Sequence, residues 1–152
     1  MNNTPNESPS LESIVEQEGI LVHLTKGFSM MPLIRQNRDM IIVKKLQKSP
    51  KENDVLLYKD DNGKYVLHRV IKVLKDGYII RGDNNFFHEY DIKDKDIIGI
   101  LDGFYRDDKY IDCNTNKLYK IYIQLNRRTY YLRKCYSEFR LLLTKIKYAI
   151  KK

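Results

Sequence analysis

The sequence predicts a mainly β domain preceded by a short helix and followed by a basic, amphipathic one. Three observations carry this prediction. From Ile20 to Cys113, short runs rich in Val, Ile, Leu and Tyr recur between turn residues. The final thirty or so residues instead space their apolar side chains three and four apart, the helical period. No stretch approaches the ~20 apolar residues that a transmembrane helix needs. At 152 residues the chain has material for one core and an appendage.

Met1 to Pro9, rich in Asn, Ser, Pro and Thr, reads as loose chain. Ser10 is placed to cap a short helix, with Glu12, Glu16 and Glu18 following and Gly19 as its stop. The strand-like runs are Ile20–Thr25, Met40–Leu46, Val55–Tyr58, Tyr65–Leu74, Tyr78–Arg81, Ile97–Tyr105 and Tyr110–Cys113. Asp61-Asn62-Gly63 and Asp76-Gly77 are hairpin signals between consecutive runs. Near the end, Leu132, Cys135, Tyr136, Phe139, Leu142, Leu143, Ile146, Ala149 and Ile150 fall on one helical face. A separate, earlier helix through Leu118, Ile121, Tyr122 and Leu125 is expected to end near Asn126. The organisation is therefore read as 1–19 loose segment and short helix, 20–114 main domain, and 115–152 basic helical extension.

The net charge of +8 is unevenly placed. Residues 117–152 hold eleven Lys or Arg against one acid, Glu138, a net of +10 that leaves the rest of the chain at −2. Cys113 and Cys135 are too few for a disulfide scaffold and suit a reducing compartment. With His23, His68 and His88 they show no recurrent ligand spacing, so no metal or other cofactor is expected. The polar N-terminus lacks the basic-then-apolar order of a secretory signal. A soluble, cytoplasmic protein is expected, or one peripheral at the inner membrane surface.

The chemistry concentrates in four blocks: Gly27-Phe28-Ser29-Met30-Met31-Pro32, a turn at Asn53-Asp54-Val55, His68-Arg69-Val70, and Gly82-Asp83-Asn84-Asn85. In this order and spacing they resemble the signal peptidases and their LexA-like relatives, over roughly residues 27–101. The resemblance implies a LexA/signal-peptidase-like β-rich domain with serine endopeptidase activity. Bacterial signal peptidases and LexA-like proteins carry a lysine base at this point. Histidine here matches the archaeal and endoplasmic-reticulum branch, in which an aspartate completes a Ser-His pair. The resemblance brings Asp83 and the acid six positions on, Glu89, forward as that third member. Glu89 is the favoured partner of His68, with Asp83 holding the turn or sharing the role.

The residue types suit the chemistry without the name. A serine hydroxyl is a weak nucleophile near neutral pH and needs a base to take its proton. An imidazole, with a reference pKa of ~6.5, can accept it. Ser29 and His68 are far apart in sequence, so only tertiary folding can join them. The family's usual oxyanion donor is the backbone N–H of the serine, here Ser29. Phe28, Met30, Met31 and Pro32 supply an apolar floor for substrate. The resemblance implies small side chains before the cleaved bond; an extended peptide would lie beside the strand leading into Ser29.

Plainer roles stand beside these. Ser29 alone is a turn serine and His68 a strand histidine. Asp83 before two Asn stabilises a turn, and Arg69 is a solvent-facing or ion-paired side chain. The expected substrate is a leader or precursor peptide. The alternative is a catalytically inactive peptide-binding or dimerisation module on the same fold. The terminal helix is read as packing on its own domain or making peripheral membrane contact, with no specific nucleic acid expected.

Overall fold

A computed structural model of the chain describes residues 9–150, with side chains through Ala149. The loose segment expected at the start lies, apart from Pro9, outside the described residues. The chain divides into two units, Met1–Asn116 and Lys117–Lys152.

In the first unit, helix α1 spans Leu11–Glu18 and eight strands follow: β1 Ile20–Leu24, β2 Met40–Lys44, β3 Val55–Lys59, β4 Tyr65–Leu74, β5 Gly77–Arg81, β6 Glu89–Ile92, β7 Ile97–Arg106 and β8 Lys109–Asp112. Ser10 caps α1 by accepting a hydrogen bond from the Ser13 N–H at 3.2 Å. Gly19 ends it with φ 72°, donating its N–H to the Val15 carbonyl, a left-handed geometry that glycine adopts at no steric cost.

The strands form one antiparallel sheet in the order β1-β2-β7-β3-β4-β5-β6, with β8 paired to β7. Mainly β architecture with a helix on either side in sequence is thus the fold. Alternation along the strands builds the core, because successive side chains point to opposite faces. Leu56 and Tyr58 of β3, Val70 of β4, and Tyr78 and Ile80 of β5 pack together, all essentially buried.

Strand β6 is a departure from the sequence reading, which placed nothing at Glu89–Ile92. Its residues, Glu-Tyr-Asp-Ile, carry little apolar alternation. It forms because β5 offers an open edge, pairing Ile80 with Glu89 and Tyr78 with Ile92.

Glu12 ties α1 to the β3-β4 hairpin, accepting from Lys59 Nζ at 2.7 Å and from the Tyr65 hydroxyl. Burial works against the charged form, but these hydrogen bonds outweigh it and lower the Glu12 pKa from 4.5 to about 2. A depressed carboxylate pKa adds stability that is fully present above pH 4.5 and is lost as pH falls toward 2. Glu12→Gln is therefore expected to melt below wild type at pH 7, with the two melting curves converging near pH 2, as followed by circular dichroism. A gap that persists at pH 2 would contradict this linkage.

The second unit is one helix, α2, Lys117–Ile150. The expected break near Asn126 is absent: no Gly or Pro interrupts the run, and Asn costs a helix only a few tenths of a kcal/mol. Asn126 instead bonds within the helix, donating from Nδ2 to the Tyr122 hydroxyl at 3.1 Å. Among the described residues no helix is long and apolar enough to cross a membrane. Cys113, half-buried, and Cys135, exposed, are not in a disulfide.

Candidate active site

Ser29 sits in a turn between β1 and β2, where Met31 N–H bonds the Phe28 carbonyl at 3.1 Å and Ile34 N–H bonds the Met30 carbonyl at 3.0 Å. Two sets of contacts hold this turn. On one side the Asn84 N–H donates to the Ser29 carbonyl at 2.7 Å, and Asn84 Nδ2 to the Phe28 carbonyl at 3.2 Å. Gly82 lies so close that an added Cβ would stand 2.7 Å from the Ser29 carbonyl oxygen and 2.8 Å from its Cβ. Only glycine permits this approach.

On the other side is a clamp that sequence reading missed. Asp39, fully buried, accepts from the Arg35 backbone N–H at 2.9 Å and from the Arg35 guanidinium at 2.9 and 2.7 Å. Burial alone would raise the Asp39 pKa, yet the Arg35 bonds hold it below the ordinary carboxylate value. Arg106 from β7 donates to the Pro32 and Leu33 carbonyls. The i, i+4 spacing of Arg35 and Asp39 was the available signal.

His68 is buried on β4, opposite Leu56 of β3. Register explains its partner. Val70, two residues on and on the same face, pairs with Ile80, and Ile80 pairs with Glu89. Glu89 reaches back to place Oε1 2.7 Å from His68 Nδ1. Its other oxygen, Oε2, accepts from the Tyr58 hydroxyl, which also stands 3.3 Å from His68 Nδ1.

Burial opposes ionisation of Glu89, but the bonds from His68 and Tyr58 prevail and keep its pKa below the usual value. Burial, reinforced by the Glu89 contact, pushes Tyr58 well above the ordinary phenol range, so Tyr58 remains a donor. An ionised carboxylate can only accept, so Nδ1 carries the hydrogen, and in the neutral imidazole Nε2 then holds the lone pair. Tyr58 was also missed, because a tyrosine in an apolar strand reads as core.

The acid on the histidine is thus Glu89, and Asp83 has a different role. His68 and Arg69 are neighbours on one strand and project to opposite faces. Asp83 binds Arg69 in a fork, Oδ1 to Nε at 2.8 Å and Oδ2 to Nη2 at 2.6 Å. Both residues are buried, so Arg69 is ion-paired and not solvent-facing. Arg69 Nη1 also donates to the Asn53 carbonyl at 2.8 Å, joining the β3 entry turn to the box that braces Ser29.

Ser29, His68 and Glu89 line one cleft of about 350 Å³, together with Phe28, Met30, Tyr65, Asn85 and Phe87. Met31 and Pro32, expected in the substrate floor, do not line it; the turn carries them past the cleft, where Pro32 is exposed. Ile34 takes part instead. A second cavity of about 460 Å³ shares Thr25, Lys26, Lys64, Tyr65 and Leu67 with the first and runs on past His23 and Leu21. The two form a continuous groove beside β1, an edge strand of the sheet.

Among the described residues no group of three or more His, Cys, Asp or Glu is placed to hold a metal ion. Comparison with known proteins finds no family model that matches this sequence and no match among the curated proteins.

Proposed function

We propose that this protein is a serine endopeptidase resembling signal peptidase, in which Ser29 attacks, His68 transfers the proton and Glu89 orients His68. The observation that carries this reading is that all three line one cleft while Glu89 occupies Nδ1 of the histidine. In the first step Ser29 Oγ bonds to the scissile carbonyl carbon and its proton passes to His68 Nε2. The oxyanion is received by backbone N–H groups of the Ser29 turn. On collapse the carbon–nitrogen bond breaks, and His68 returns the proton to the leaving amine. Water, deprotonated by His68, then bonds to the acyl carbon; the Ser29 Oγ–carbon bond breaks, and His68 returns the proton to Ser29 Oγ.

Glu89 stabilises the imidazolium in both halves, and Tyr58 holds Glu89 in place. The groove beside β1 suits an extended precursor or leader peptide, whose backbone would add to the free strand edge and whose apolar residues would occupy the second cavity. We place the encounter on the cytoplasmic side.

The test is covalent labelling by a fluorophosphonate probe. Wild type is expected to label at Ser29, and Ser29→Ala to remain unlabelled with an unchanged circular dichroism spectrum. A folded wild type that takes no label would favour a peptide-binding module without turnover.

A further inference from the structure

Helix α2 carries an apolar surface of its own, and the following inference is independent of the peptidase reading. Leu118, Leu125, Leu132, Phe139 and Ile146 recur every seven residues and form a slowly drifting column along the helix. Every one of them is exposed. From Glu138 to Ala149 no residue is buried or even half-buried, although the stretch contains Phe139, Leu142, Leu143 and Ile146 on one side. Helices draw most of their stability from packing such a face, and soluble surfaces seldom present an apolar strip this long.

Charge decides what covers it. With eleven basic residues and one acid over 117–152, two copies of the helix zipped along the column would bring +10 against +10. Arg140 and Lys147 each follow the column by one residue, about 100° round, where a paired coil would hold like charge against like. A nucleic acid would answer the charge and leave the apolar column in water. One surface meets both needs: an anionic bilayer, whose headgroups attract Lys and Arg while the Leu and Phe side chains enter the interface.

We infer that α2 lies flat on an anionic lipid surface, with the Leu118-to-Ile146 column facing the acyl chains and the long Lys and Arg side chains reaching back to the phosphates.

Vesicle flotation of the full chain tests this. Wild type is expected to float with vesicles of phosphatidylcholine mixed with phosphatidylglycerol and to stay behind with phosphatidylcholine alone. Neutralising Arg140, Lys145 and Lys147 together to Gln is expected to lower the partition coefficient on the order of a hundredfold. Leu132→Gln with Phe139→Gln and Leu143→Gln should also lower it while leaving the charge intact. These side chains are exposed, so both variants keep the fold, as a circular dichroism spectrum would confirm. The inference is overturned by equal flotation with neutral vesicles, by no flotation at all, or by a dimer that depends on the column and excludes lipid. Retention on duplex DNA in place of vesicles overturns it as well.

Discussion

Under the proposed mechanism, His68→Ala lowers kcat/KM for a cleaved precursor peptide by about 10⁴-fold or more, because it removes the imidazole that takes the Ser29 proton. Glu89→Gln falls short of that loss, on the order of 10³–10⁴-fold. An amide can donate to Nδ1 and so stabilise the tautomer whose Nε2 bears the hydrogen, the wrong one for accepting a proton. Tyr58 would still occupy its other side. The pH response follows from the lowered Glu89 pKa: its carboxylate is lost at a lower pH than an ordinary glutamate would be, because the His68 and Tyr58 bonds favour the charged form. Kinetics of the two variants on one peptide, with folding checked by circular dichroism, would decide the matter. A folded His68→Ala protein with unchanged turnover would end the proposal.

The largest stability effect is expected at Arg69 and Asp83. Asp83→Ala removes the carboxylate that forks the buried Arg69 guanidinium, and breaking a buried ion pair from one side costs about 3–5 kcal/mol. For a unit of this size that corresponds to a fall in melting temperature on the order of 10–20 °C. Arg69→Met should also destabilise, because it removes the forked ion pair from the buried Asp83 carboxylate. Joining Arg69→Met to Asp83→Leu removes both charges and should recover a large part of the loss. Thermal melts of the three variants form a double-mutant cycle. Additive losses would mean that the two side chains do not act as a pair. Because Asp83 anchors the turn whose Asn84 and Gly82 meet Ser29, the single variants should also slow any reaction at Ser29.

Much of the fold was legible because its signals are local. Apolar runs, Asp-Gly turns and a capped, glycine-stopped helix each declare themselves within a few residues. Strand β6 did not, since Glu89–Ile92 is held by the edge of β5 and not by its own composition. The continuity of α2 through Asn126 was not legible, because the modest helix cost of one Asn is outweighed by the good helix formers around it.

The candidate site divides in the same way. Ser29 and His68 stand in recognisable boxes, but the choice between Asp83 and Glu89 depends on which face of the sheet each approaches. That is a property of register across β4, β5 and β6. Tyr58, and the bonds from Arg106 to the Pro32 and Leu33 carbonyls, lay beyond sequence reading because they arise only when distant segments meet.

The brace on Ser29 also bears on biosynthesis. Gly82 and Asn84 emerge from the ribosome more than fifty residues after the serine they steady, and Glu89 later still. A nascent chain displaying both Ser29 and His68 would thus have the reactive pair without its support. On the proposed reading the site is complete only once β5 and β6 have docked.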